Sequence, residues 1–285
     1  MMADQLSERR FRQVAALVER DVGIQLPPAK RVMVEGRLRK RARSLGLDGP
    51  EAYCAALFDG GLLEAEYQEL VDLVTTNKTD FFRELDHFHQ LRQHIVPRLL
   101  GERGRRPDIH LKFWSAACST GAEAYTLAME LADMASAARP SFRFTILGTD
   151  ISTQVLEQAR RAIYPTAMLD PVPEPQRRRY TLRSRDGETC RIAPELRAVT
   201  HFAQLNLMDG EYPVDRDVDV ILCRNVLIYF DRPTQAAVLT RLVSHLRPGG
   251  YLIVGHSESA AGNGLPGLEP VVSTIWRRDD RALAA

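Results

Sequence analysis

Four strand-like stretches with polar ends and one nonapeptide hold the residues of this chain that could do chemistry. In FWSAACSTGAEAYTLAM, the run Ser115–Gly121 consists of small residues and leads into a helical sequence. Small side chains let a ligand approach the backbone, and the first turn of a helix offers N–H groups without partners. A lone Gly121 does not make the dinucleotide fingerprint G-x-G-x-x-G, so the stretch by itself reads as a tight strand-to-helix turn. Asp150 closes the next apolar run, FRFTILGTD, where nucleotide-binding sheets carry an acid for ribose hydroxyls. It could instead cap the helix ISTQVLEQA, a task Ser152 can share. The order of turn and acid on consecutive strands favours the ribose role, while their long spacing disfavours NAD. Arg224 and Asn225 close VDVILCRN, with Tyr229, Phe230 and a capping candidate, Asp231, behind them. Aromatics in such places are ordinarily core, but an Arg-Asn pair at a strand tip faces a cleft. His256, Ser257 and Glu258 close GYLIVGHSES, where Ser259 replaces the last glycine of the hydrolase elbow G-x-S-x-G. Polar packing, not a Ser257 nucleophile, is expected there.

The nonapeptide is TTNKTDFFR, Thr75–Arg83. Thr79 or Asp80 can cap the helix predicted over FFRELDHFHQLRQHIVPRLL. A cap explains neither the adjacent rings of Phe81 and Phe82 nor the polar run ahead of them. His87, His89 and His94 follow at alternating positions with no cysteine nearby, which predicts a solvated helix face and no metal site.

The elements that must position these residues fall into two groups. Helical periodicity fills the first seventy or so residues: FRQVAALVERDVGI up to Pro27-Pro28, a helix from Pro28 through RVMVEGRLRKRARSLGL, then EAYCAALFDGG and LEAEYQELVDLVT. After residue 105 or so, apolar strands alternate with helices, which predicts an α/β fold with a mostly parallel, doubly wound sheet. In such sheets the ligand sits beyond the carboxyl ends of the strands, where the polar stretches lie. Asp186-Gly187 within YTLRSRDGETCRIA predicts a β hairpin. The expected organisation is an N-terminal all-helical domain at 1–74, a linker and lid at 75–104, and a catalytic domain at 105–285 with a small β insertion near 178–203.

Of 285 residues, 45% are hydrophobic and 26% charged, and the net charge is +1, which argues against a dedicated nucleic-acid binder. No apolar run is long enough to span a bilayer, and MMADQLSERR lacks the apolar core of a signal peptide. Cys54, Cys118, Cys190 and Cys223 are dispersed, which predicts reduced thiols in a cytoplasm.

Together these stretches resemble the CheR family, the chemotaxis receptor methyltransferases. TTNKTDFFRE is similar to the family's T-x-N-x-T-x-F-F-R motif and SAACSTGAEAYTLAM to its C-S-T-G-E-E-P-Y-S-L-A-M loop. CRNVLIYFD, LRPGGYLIVGHSES and NLMDG match further blocks, so the resemblance covers nearly the whole chain. It implies a Rossmann-like methyltransferase domain that binds S-adenosyl-L-methionine, releases S-adenosyl-L-homocysteine and forms methyl esters on receptor glutamates. It further implies that Asn77, Thr79 and Arg83 contact the cofactor or the transfer site, with Glu123 on the methionine amine side and Asp150 on the ribose. Asn206 and Leu207 would lie along the adenine, and Arg224 and Asn225 near the methionyl end. Arg83 and Tyr229 would orient the acceptor glutamate. Ala122 and Ala124 depart from the family's usual Glu and Pro, which bears on the rigidity of that loop.

A protein acceptor needs a docking face. Arg37, Lys40 and Arg41 share one face of the second helix, suited to an acidic chemoreceptor helical bundle. A monomer is expected. The alternatives are a methyltransferase with a small-molecule or RNA acceptor, and a non-catalytic S-adenosylmethionine-binding signalling module.

Overall fold

In the computed structural model, residues 5–104, 108–139 and 141–279 are described. The boundary expected at 104/105 adjoins residues outside that set, as do the two ends of the chain. Helix α1 (Glu8–Val22) is capped by Ser7, whose Oγ accepts from the Arg10 N–H at 3.2 Å. It stops before Pro27-Pro28 because Gly23 takes a left-handed φ of 75° and returns its N–H to the Glu19 carbonyl. A turn at Pro28–Lys30 leads into α2 (Arg31–Ser44), followed by α3 (Gly49–Phe58) and α4 (Leu63–Val74). Their apolar faces meet in a core that includes Phe11, Val14, Leu38, Tyr53 and Leu70.

The helix predicted from Phe81 begins only at Leu85. Phe82 and Glu84 hold φ of 55° and 57°, which no helix accommodates, so neither Thr79 nor Asp80 acts as a cap. Helix α5 (Leu85–Gln90) passes through a π turn at Leu91–Ile95 into α6 (Val96–Arg103), whose Pro97 has no N–H to donate.

Strand and helix then alternate: β1 (His110–Ala116), α7 (Ala122–Ala137), β2 (Arg143–Asp150) and α8 (Thr153–Arg161). Next come β3 (Ile163–Pro165), α9 (Glu174–Tyr180), β4 (Thr181–Arg183), β5 (Thr189–Ile192), α10 (Pro194–Ala198) and β6 (Thr200–Gln204). The chain continues through β7 (Val218–Cys223), α11 (Arg232–His245), β8 (Leu246–Val254), β9 (Leu268–Val272) and β10 (Ile275–Arg278). Among the described residues the main sheet has seven strands in the order β6-β2-β1-β7-β8-β10-β9. The first five are parallel, and β10 and β9 run antiparallel at one edge. The predicted hairpin is present as β4 and β5, and β3 joins it in a small antiparallel sheet.

Alternation along the strands splits the core in two. Phe113, Ile146, Val220 and Ile253 pack on the face shared with α7, and Trp114, Ile221, Leu252 and Val254 pack on the face shared with α11. Because β1 sends the chain first to β2 and later to β7 on its other side, the crevice between them opens at their carboxyl ends.

Candidate active site

One cleft at those carboxyl ends collects Asn77, Thr79, Arg83, Glu123, Asp150, Asn206, Leu207, Arg224, Asn225 and Tyr229. The floor is the β1–α7 turn. Ala117, Ser119 and Gly121 all take positive φ, which folds the small-residue run tightly under the cleft. A side chain at Gly121 would strike the Ala159 Cβ at 2.9 Å, so glycine is required by close approach as well as by its φ of 84°. Ala122 and Ala124 lie beyond the turn, inside α7 and buried in the core, so the departures in this motif fall on packing positions.

Asp150 is buried at the tip of β2, and its two oxygens accept from the N–H groups of Ser119 at 2.8 Å and Ser152 at 3.0 Å. Burial pushes its carboxyl above the usual range, opposed by these backbone donors. The capping alternative goes to Ser152, whose Oγ accepts from Val155 N–H at 3.4 Å at the start of α8.

Arg224, at the tip of β7, is a buried junction and not a surface charge. Its guanidinium donates to Glu123 Oε2 at 2.8 Å, to Glu84 Oε2 at 3.0 Å and to the Arg83 carbonyl. Glu123 also accepts from Ser115 Oγ at 2.6 Å. Asn225, in a left-handed conformation with φ 60°, donates its side-chain amide to Glu84 Oε1 at 3.0 Å and its N–H to Glu258 Oε2 at 2.8 Å. Glu258 takes the Gly255 N–H at 2.8 Å as well, so GHSES supplies a buried acceptor that shapes the tip. Asp231 caps α11 through the Thr234 N–H at 2.8 Å, as its position predicts.

The nonapeptide closes one side of the cleft. Ser119 Oγ donates to the Asn77 carbonyl at 2.9 Å, and the Phe82 N–H donates to Thr126 Oγ1 at 3.1 Å. Phe81 and Phe82 are 1% and 6% exposed and pack in the core beside α7. Phe81 meets Tyr164 edge-on at 5.0 Å between centroids, and Phe82 lies 6.0 Å from Phe88. Arg83 reaches the cleft and donates to the Lys78 carbonyl at 3.2 Å.

The helical region supplies the opposite wall with Val22, Ile24, Lys30 and Met33. Two hydrogen bonds fix it there: Asn206 Nδ2 to the Asp21 carbonyl at 2.7 Å and the Gln25 N–H to the Tyr229 carbonyl at 2.9 Å. Motif reading missed this wall, as it missed Glu84, which sits directly after FFR inside a quoted motif; that adjacency was the available signal. Glu258 fulfils the polar packing expected of GHSES.

Arg37, Lys40 and Arg41 lie on α2 outside the cleft. Arg37 donates to the carbonyls of Leu73 at 2.8 Å and Thr75 at 2.7 Å, and Arg41 pairs with Glu66 at 2.7 Å, while Lys40 is exposed. The three histidines separate: His89 and His94 are exposed, but His87 is buried, contrary to the solvated face expected of it. Burial and the Arg224 charge hold its imidazole down to about 3.

Over residues 77–270 the chain matches the family described as CheR methyltransferase, SAM binding domain. Residues 9–75 match CheR methyltransferase, all-alpha domain. The chain belongs to the CheR methyltransferase family. It is 40% identical over 256 residues to the chemotaxis protein methyltransferase of Salmonella typhimurium, covering 89% of this chain and 85% of that one. The same figures hold for its Escherichia coli counterpart, at 40% identity with 89% and 85% covered. The chemotaxis protein methyltransferase of Borreliella burgdorferi is 32% identical over 274 residues, covering 96% and 95%. As a CheR member this is an S-adenosylmethionine-dependent methyltransferase of chemotaxis. The donor set of the cleft fits that cofactor: carboxylates for hydroxyl and ammonium donors, a guanidinium for a carboxylate, and apolar Leu205, Leu207 and Phe230 for a flat base. Among the described residues no helix is long and apolar enough to cross a membrane. Cys54, Cys118, Cys190 and Cys223 are buried and unpaired.

Proposed function

We propose that this enzyme forms methyl esters on glutamates of chemoreceptor cytoplasmic helical bundles, and that it does so in the cytoplasm. The observation that carries the reading is the meeting, in one cleft, of Arg83 from the lid with Tyr229 from beyond the β7 tip, beside the Arg224–Glu123 pair. Bound S-adenosylmethionine supplies a methyl group on a positively charged sulfonium.

In this reading Asp150 holds the ribose through the lone pairs that Ser119 and Ser152 leave free, and Glu123 receives the ammonium. Arg224 and Asn225 bracket the methionyl end, Asn206 and Leu207 flank the adenine, and Asn77 and Thr79 close over the cofactor from the lid. An acceptor glutamate is already ionised at neutral pH, so no general base is required. What the protein must supply is alignment of oxygen, methyl and sulfur, an effect worth about 7–11 kcal/mol in well-oriented systems. Arg83 serves as a clamp on the acceptor carboxylate and Tyr229 as a second orienting donor. Lys40 and its exposed neighbour Arg43 on α2 are the cations left to steer an acidic bundle, since Arg37 and Arg41 serve the fold.

Incubation with methyl-labelled S-adenosylmethionine and receptor cytoplasmic fragments tests the reading. Base-labile label on receptor glutamates is expected, with a large fall in turnover and preserved folding for Arg83→Ala. Cofactor binding without transfer to any fragment would sink it in favour of another acceptor or a non-catalytic module.

A further inference from the structure

Next to Arg224 and Asn225 at the β7 tip, but not among the residues that line the cleft, three potential metal ligands converge. Glu84 immediately precedes α5, His87 lies in α5, and His256 follows β8. One donor atom from each lies within 4.8 Å of the others, and the two rings meet edge-on at 4.9 Å between centroids.

The cluster is more than proximity. His87 is 2% exposed, yet its Nδ1 has no hydrogen-bond partner. That nitrogen points into the cluster, 3.5 Å from Glu84 Oε2 and too poorly aligned to bond to it. A buried imidazole nitrogen left in this way costs free energy unless something satisfies it. The other ring nitrogen, Nε2, is fixed by Thr274 Oγ1 at 2.8 Å. Such an outer contact orients metal-ligating histidines and sets which nitrogen faces the ion. His256 is exposed, so the cluster opens to solvent on one side and leaves room for a further ligand. Two imidazoles and one carboxylate with an open position is a zinc-type ligand set.

We propose that Glu84, His87 and His256 bind a divalent transition metal ion of the zinc type, and that the bound ion antagonises the cofactor. Charge balance permits the ion despite the guanidinium nearby. Glu84 and Glu123 together carry one more charge than Arg224 neutralises, and Arg224 retains Glu123 at 2.8 Å when Glu84 turns away. The antagonism follows from what Glu84 gives up. Its oxygens hold Arg224 at 3.0 Å and the Asn225 amide at 3.0 Å, the two groups at the β7 tip that line the cleft. A metal that draws the carboxylate toward the histidines releases both. By linkage, the cofactor then weakens the metal by the same factor that the metal weakens the cofactor. The metal site itself is independent of which acceptor the enzyme methylates.

The test uses the full chain, freed of metal with a chelator and titrated with Co2+ by visible absorption and with Zn2+ by calorimetry. One ion per chain is expected, with the intense bands of a low-coordinate cobalt site. His256→Ala should weaken binding about tenfold or more, with circular dichroism confirming its fold because the residue is exposed. His89→Ala and His94→Ala should leave binding unchanged. Calorimetry with S-adenosylhomocysteine should show about tenfold weaker binding at saturating Zn2+, and no such loss in His256→Ala. Absence of stoichiometric binding, or equal affinity in His256→Ala, overturns the site. Metal binding that leaves cofactor affinity unchanged overturns the antagonism.

Discussion

Arg224→Met tests whether the buried guanidinium holds the β7 tip together before any ligand arrives. The side chain is 2% exposed and shared between Glu84 and Glu123, themselves 14% and 13% exposed. Methionine fills much of the same volume, so the loss is mainly electrostatic. Removing one partner of a buried pair costs about 3–5 kcal/mol. Here Glu84 keeps the Asn225 amide at 3.0 Å and the His256 N–H at 3.3 Å, and Glu123 keeps Ser115 Oγ at 2.6 Å. The lower end, about 3 kcal/mol near neutral pH, is therefore expected. The pH dependence has a definite sign. Burial opposes the charge of Glu84, but the Asn225 hydrogen bond and the Arg224 charge hold its carboxyl below the usual range. Without Arg224, burial is less opposed and the carboxyl moves up. An acid raised in the folded state contributes stability at low pH that is lost as pH rises through the folded value. In the native protein the depressed Glu84 loses stability on acidification, so the two changes add. The deficit should therefore shrink between neutral pH and roughly pH 5. Urea unfolding of both proteins at the two pH values, with chelator and without cofactor, reads this directly. A deficit that is below about 1 kcal/mol, the range of exposed pairs, or that is independent of pH would refute the junction.

Three further outcomes are expected. Asp150→Asn turns an amide N–H₂ toward one of two backbone donors, costing about 1–3 kcal/mol of stability and weakening S-adenosylhomocysteine by calorimetry. Because hydroxyl donors favour the ionised form, native cofactor affinity should rise as pH climbs through the raised Asp150 value, and the variant should lack that component. Gly23→Ala places a Cβ 2.5 Å from Met208 Sδ at a φ of +75°, and backbone strain of about 1–2 kcal/mol should lower the thermal midpoint. Lys40→Glu with Arg43→Glu should slow transfer to receptor at low salt while cofactor affinity holds, whereas Arg37→Ala should instead lower stability in thermal denaturation by freeing the Leu73 and Thr75 carbonyls.

Periodicity carried the strand–helix alternation because the central strands bury both faces while most helices bury one. Strand β7, VDVILC, is buried at every position and reads as an unbroken apolar run. Strands β9 and β10 were not legible: LEPVV is largely exposed and includes a proline, so nothing in its pattern alternates. The resemblance brought every named cleft residue together, since those residues sit at fixed places in motifs. The docking cations fared differently. A helical face groups Arg37, Lys40 and Arg41, but it cannot tell which of them the neighbouring helix will use. Glu66 on α4 takes Arg41, and the carbonyls at the end of α4 take Arg37. His87 fell the same way, because its partner Thr274 lies far along the chain, beyond β9.

Phe81 and Phe82 answer a problem that the rest of the nonapeptide creates. The nonapeptide lines the cleft with Asn77, Thr79 and Arg83 and has few backbone bonds of its own. Phe82 near its far end and Glu84 just beyond it sit at φ of 55° and 57°, each unfavourable by about 1–2 kcal/mol for a side chain with a Cβ. Burying two phenylalanine rings contributes about 1.5–3 kcal/mol each, enough to offset that strain. Their place between the helical region and the first strand predicts rings packed at the joint of the two, but they go into the methyltransferase core beside α7 and Tyr164. That choice fixes the nonapeptide to the half of the molecule that carries Asp150 and Arg224. The strained turn between the rings and α5 then points Glu84 at Arg224 and Asn225, which a continuous helix from Phe81 would not do. The polar run and the paired rings are therefore one device: the rings hold the turn, and the turn sets the acid that holds the β7 tip.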